Sequence, residues 1–131
     1  MRYEKADDVK EIAEKIIKKM NWKHICIDNV GFLRSYGTST KRTIARCHAL
    51  GKALQIAMDR KGFYVIEVIS ERFDKLPEEE KIKVVIHELM HIPKSFGGGF
   101  IHHNKVCEYA VNKIYEEYKR KEDLGGYYEN N

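Results

Sequence analysis

The sequence has few cysteines, no long apolar run and no basic tail or long run of Lys and Arg. Its longest apolar runs, such as Phe63 to Ile66, span about four residues, whereas a membrane-spanning helix needs about 20. Charges occur throughout the first twenty residues, which is not typical of a secretory signal peptide. The three cysteines (Cys26, Cys47 and Cys107) are odd in number and form no CxxC pair, so we expect inert thiols rather than disulfides. These absences predict a cytoplasmic protein with no membrane partner.

The composition is that of a folded domain. Of the 131 residues, 43% are hydrophobic and 34% are charged, which is enough for a core and excludes disordered and low-complexity chains. The length suits one domain spanning residues 1–131, and we expect residues 122–131 to form a loose tail. The net charge is +4, but both signs are mixed along the chain, which does not favour a nucleic-acid partner.

Periodicity divides the chain into a helix, several strands and two further helices. Apolar residues at helical spacing predict an N-terminal helix over residues 6–20. β-branched and aromatic residues favour strands at residues 24–34, 43–46 and 63–69. Residues 49–58 fit either a strand or a helix. This order predicts an α+β fold with a small mixed sheet rather than alternating βαβ units.

Two helices should follow the last strand. The first begins near Pro77, where three glutamates favour a helix start, and it ends before Pro93. A glycine-rich loop at residues 95–99 then reverses the chain, and a second helix is predicted over residues 103–121.

The first of these helices carries the HExxH motif, from His87 to His91. On a helix, residues four apart lie one above the other, so both imidazoles can reach one metal ion. Glu88 is offset by one position, where its carboxylate can reach a water on the metal and act as a general base. The motif therefore predicts a zinc site with Glu88 as its catalytic residue.

A catalytic zinc site usually has three protein ligands and one open position. The candidates for the third ligand are His102, His103 and Glu108. His103 is preferred because it precedes the apolar stripe of the second helix at helical spacing, while Glu108 lies on the flank of that helix. His102 remains the alternative if the helix begins after residue 103. The residues of the stripe are Cys107, Ala110 and Ile114.

Two further roles are left open by the sequence. An oxyanion would need a hydrogen-bond donor, which His102, Arg46, His48 or Tyr109 could supply. The strand Phe63–Ile69 could bind a peptide along an exposed edge, or it could be a purely structural core strand.

The segment VVIHELMHIPKSFGGGFIHH resembles a family of small predicted metallopeptidases of archaea and phages. The stretches YVIEVISERFDKLPEEEK and RTIARCHAL are also similar to that family, so the resemblance covers roughly residues 30–105. It implies a minimal zincin-like fold, a Zn²⁺ ion held by His87, His91 and His103, and Glu88 as the base. The glycine-flanked histidine after HExxH is distantly similar to SprT-like DNA-associated proteases.

Two functions follow from these residues. The first is a zinc-dependent endopeptidase that hydrolyses a peptide or protein substrate through a metal-activated water, with Glu88 as the general base. The second is a non-catalytic zinc-binding regulatory or interaction domain that keeps a zincin-like site. A fourth protein ligand, such as Cys107 or Glu108, would favour the second function because structural zinc sites are closed.

Overall fold

The computed structural model of the chain describes the backbone of residues 1–129 and the side chains of residues 1–124. Within that range, four strands form one mixed sheet in the spatial order β1-β2-β4-β3. β2 and β4 are parallel, whereas β1 and β3 are antiparallel to their neighbours. The strands are β1 (Arg2–Lys5), β2 (Val30–Tyr36), β3 (Ala45–Ala49) and β4 (Tyr64–Ile69).

The predicted strand at residues 63–69 is confirmed as β4, but it lies in the centre of the sheet. Ile66 is paired with Phe32 of β2 on one side and with Cys47 of β3 on the other. Its edges are therefore occupied, and the hypothesis that β4 binds a peptide along an exposed edge is wrong. The edge strands are β3 and β1 instead.

The helices confirm the α+β fold class. α1 matches the N-terminal helix predicted over residues 6–20, and α4 matches the predicted HExxH helix. Within the part of the chain that the structure describes, no helix is both long and apolar enough to cross a membrane. The helices are α1 (Asp7–Met20), α2 (Lys52–Ala57), α3 (Ser70–Phe73), α4 (Glu78–Met90) and α5 (Glu108–Glu129).

The last helix differs from its prediction at both ends. α5 begins at Glu108 rather than at residue 103, because the preceding residues form a turn in which the amides of Lys105 and Val106 both donate to the carbonyl of His102. It continues through Glu129, so the tail expected at 122–131 is helical as far as residue 129. Residues 130 and 131 lie outside the described residues.

The core lies between the sheet and helices α1, α4 and α5. α4 contributes Val85, Ile86 and Leu89, which are completely buried. Truncating one such side chain to alanine typically costs about 2–5 kcal/mol of stability. Because this apolar stripe holds α4 in a fixed rotation, the neighbouring HExxH residues face a defined direction.

Candidate metal centre

The structure brings three histidines of the predicted site together. His87 lies in the last turn of α4, and His91 directly follows the end of that helix. Their ring centroids are 5.0 Å apart, and the ring of His103 lies 5.4 Å and 4.6 Å from them. One ring nitrogen from each histidine lies within 4.8 Å of the other two. His102 is outside this group, and its ring is 5.4 Å from that of Phe100.

His103 reaches the cluster through the loop between α4 and α5. At Gly98 the chain has a φ of +101°, and a side chain there would lie 2.6 Å from the carbonyl of Leu50. Residue 98 must therefore be glycine, because any side chain there would clash with the backbone of Leu50. After this reversal, the amide of Ile101 donates to the carbonyl of His91 at 2.8 Å, which brings the segment with His103 back over α4.

The orientation of His91 is set by a backbone carbonyl. Its Nδ1 lies 2.5 Å from the oxygen of Ile101, and Phe100 stacks on the ring at 4.3 Å. Because a carbonyl only accepts hydrogen bonds, Nδ1 carries the proton and the Nε2 lone pair is left for a metal. Burial lowers the pKa of His91, which also favours the neutral, metal-binding form.

His87 is also held in its neutral form. Burial, together with the neighbouring charges of His91 and His103, lowers the pKa of His87 to about 4. A metal ion competes with protons for an imidazole nitrogen, so a low pKa keeps this lone pair available at neutral pH. The three nitrogen donors thus suit a borderline ion such as Zn²⁺.

Glu88 lies beside the histidines and is only 6% exposed. Its Oε2 is 3.9 Å from Nε2 of His87. Burial raises the pKa of Glu88 to about 7. A carboxylate that exchanges its proton near neutral pH is suited to general acid–base work.

None of the other candidate ligands joins the histidine cluster within the described residues. Cys107 and Glu108 are exposed at the start of α5. Burial and the nearby charge of Glu88 raise the pKa of the Cys47 thiol to about 12, so this cysteine stays protonated and inert. The arrangement therefore lacks the fourth protein ligand that would favour a closed, structural site.

A cavity of about 480 Å³ lies next to His87 and Glu88. The sequence did not point to the two cations that line this cavity, Arg42 and Lys83. Lys83 could have been found, because it precedes His87 by four residues on one face of a helix, but no local signal marked Arg42. The cavity is lined by residues of α4, α5, the start of β3 and the segment before it, namely Arg42, Ile44, Ala45, Glu80, Lys83, Val84, His87, Glu88, Glu108, Val111 and Asn112.

Two of the residues suggested for oxyanion binding face away from this site. Side chains alternate along a strand, so Arg46 and His48 lie on the sheet face opposite Cys47. Nε of Arg46 is 3.2 Å from Glu67, and Nε2 of His48 is 2.8 Å from the same oxygen. Both are thus excluded. The other two suggestions, His102 and Tyr109, are exposed.

The comparisons with known proteins agree with these observations at the level of the family. Neither the search of curated proteins nor the search of solved structures found a match. A family model described as "Putative phage metallopeptidase" matches residues 1–123. This range includes the HExxH helix and the loop with His103. The chain therefore belongs to this phage metallopeptidase family.

Proposed function

We propose that the protein is a zinc-dependent endopeptidase, formed by a single domain over residues 1–131, that hydrolyses peptide or protein substrates. The observation that supports this most strongly is the convergence of three imidazoles beside a buried carboxylate whose pKa is raised to about 7. Family membership supports peptide-bond hydrolysis over other reactions.

His87, His91 and His103 would hold the zinc ion. When bound, zinc polarises the scissile carbonyl and acidifies the attacking water. Glu88 then accepts the proton of that water and delivers it to the nitrogen of the leaving amine. The carbonyl of Ile101 keeps the ring of His91 in the orientation and tautomer that a metal ligand needs.

The substrate would lie along β3, the edge strand next to the cavity. Ala45 of this strand lines the cavity beside His87 and Glu88. An extended peptide can pair with the free edge of such a strand, which would present its carbonyl groups to the site. Arg42 precedes β3 and is the cation that lines the cavity on the side of this strand.

We also propose that the protein functions in the cytoplasm. Cys26, Cys47 and Cys107 are all free thiols, which is typical of a reducing compartment.

The test combines metal analysis with a hydrolysis assay. Wild type and the His102→Ala variant are expected to retain zinc through dialysis, whereas His103→Ala should lose it. Wild type should cleave members of a peptide library, lose this activity with a chelator and recover it with added zinc. Retention of zinc by His103→Ala would exclude it as the third ligand. Zinc binding without any cleavage would favour the non-catalytic domain.

A further inference from the structure

A second, smaller cavity is lined by residues next to the metal centre, including Met90, Ile92 and Ile101, and it takes no part in the proposed reaction. It has a volume of about 260 Å³ and lies between the end of α4, the segment 101–106 and the residues after α1. We call it the Trp22 pocket. Its apolar lining consists of the buried Leu89, Ile92 and Val106 and the half-buried Trp22, Met90 and Ile101.

The polar residues of the Trp22 pocket are all basic. They are His24, Lys94 and Lys105, and no acidic residue lines the pocket. Among the described residues, neither lysine forms a salt bridge with a carboxylate. Burial lowers the pKa of His24, and repulsion by the nearby charge of Lys94 lowers it further. An anion at this position would relieve the repulsion.

The volume indicates what kind of molecule would enter. Sites for drug-sized ligands are roughly 300–1,000 Å³, so the Trp22 pocket is small for a complete cofactor. It suits one large apolar side chain of the kind that anchors protein interfaces. The adjacent cations would then pair with acidic residues beside the anchor. We propose that the Trp22 pocket docks a partner polypeptide through one large apolar side chain flanked by acidic residues.

The position of the pocket connects docking with the metal centre. Ile101 lines the pocket and exchanges two hydrogen bonds with His91, and His103 lies in the same short segment as Ile101 and Lys105. A docked polypeptide would therefore hold the segment that carries His103. This consequence rests on the proposed function, and it requires zinc and the partner to increase each other's affinity by the same factor.

Trp22 is the single tryptophan of the chain, so its fluorescence reports on the pocket directly. The probe is the peptide acetyl-Glu-Glu-Phe-Glu-Glu-amide. We expect a saturable change in Trp22 emission, and roughly tenfold weaker binding when alanine replaces the phenylalanine or lysines replace the glutamates. The double variant Lys94→Glu/Lys105→Glu should also bind about tenfold more weakly. The matched control Lys113→Glu/Lys119→Glu changes two exposed lysines of α5 and should bind like wild type.

Several results would overturn the proposal. One is the absence of a saturable change, and another is equal binding of the peptide by wild type and Lys94→Glu/Lys105→Glu. Tighter binding of octanoate than of the peptide would assign the pocket to a small molecule. A dimer in sedimentation whose formation shifts Trp22 emission would assign the pocket to a second copy of the chain.

The coupling is tested separately by repeating the titration with and without zinc. Zinc should tighten peptide binding to wild type and leave binding to a His87→Ala variant unchanged. Equal affinities of zinc-loaded and zinc-free wild type would overturn the coupling. If wild type binds no zinc, the proposed function fails, whereas peptide binding by the metal-free protein still decides whether the pocket is a docking site.

Discussion

Glu67 and Glu88 are buried carboxylates on opposite sides of the same sheet, with exposed fractions of 2% and 6%. Burial tends to raise the pKa of Glu67, but hydrogen bonds from Ser35 and His48 and the charge of Arg46 outweigh it and lower that pKa. For Glu88, burial is the cause of the pKa shift, and it raises the pKa to about 7.

The comparison shows that partners, more than burial, separate a structural carboxylate from a candidate catalytic one. The Oγ of Ser35 donates to Glu67 at 2.6 Å, and Arg46 and His48 of β3 contact its other oxygen. Glu67 of β4 therefore links β3, an edge strand, to the central strand of the sheet through its contacts with Arg46 and His48. Glu88 lacks such partners, so its proton is available for exchange at the pH where an enzyme works.

The largest effect is expected from Glu88→Gln. Removing the general base should lower kcat/KM for a cleaved peptide by about 10²–10⁴-fold, while the three histidines keep the zinc. Steady-state kinetics and metal analysis measure the two properties. Glu116→Gln, an exposed substitution on α5, is the control and should resemble wild type. Hydrolysis by Glu88→Gln at the wild-type rate would contradict the proposed role.

The next effect is on stability and comes from the other carboxylate. Glu67→Gln should lower the free energy of unfolding by about 1–3 kcal/mol, because a neutral amide weakens the charge-assisted contacts with Ser35 and Arg46. Urea unfolding measures this change, with Glu116→Gln again as the control. Zinc binding with metal in excess should persist in the folded fraction. An unchanged unfolding free energy would show that the partners of Glu67 do not stabilise the fold.

A third prediction uses the raised pKa of Glu88 in the metal-free protein. Its folded-state pKa of about 7 lies above the ordinary value of 4.5, so the folded protein retains a proton that the unfolded chain releases between these values. Wild type should therefore lose stability relative to Glu88→Gln as the pH rises from about 4.5 to 7, by at most about 3 kcal/mol. Urea unfolding in a chelator at several pH values tests this, and a difference that does not change with pH would contradict it.

The smallest effect is expected from His48→Ala. The side chain of His48 is 51% exposed, so its pair with Glu67 is screened by solvent. Its removal should cost less than about 1 kcal/mol of unfolding free energy. A loss as large as that of Glu67→Gln, measured in the same urea titration, would show that His48 rather than Arg46 and Ser35 stabilises the buried carboxylate.

Much of the fold could be predicted because its signals are local. α4 was predicted from Pro77, the glutamates of its first turn and its apolar spacing, and these act within one or two turns of the helix. β1 was missed, since all four of its residues are exposed and its strand conformation depends on pairing with β2. The central position of β4 also depends on its neighbours, because an apolar strand has the same sequence pattern wherever both its faces are buried.

The candidate site likewise combines features that local sequence predicts with features that depend on tertiary contacts. The spacing of His87, Glu88 and His91 was sufficient to place them on one helix, because helical periodicity is a property of the backbone. The preference for His103 assumed a helix that begins near residue 103, whereas α5 begins at Glu108. His103 reaches the other histidines because Ile101 pairs with His91 and Gly98 passes close to the backbone of Leu50.

Local sequence was thus enough to establish the HExxH helix, the α+β class and the chemistry of the donor atoms. Three-dimensional packing was needed to bring His103, rather than His102, beside His87 and His91, to place β3 at an edge of the sheet beside the cavity, and to give Glu67 and Glu88 opposite pKa shifts. The physical reason is that helix formation depends on residues a few positions apart. Convergence of side chains and loss of solvent depend on segments that are distant in sequence and meet only when the chain folds.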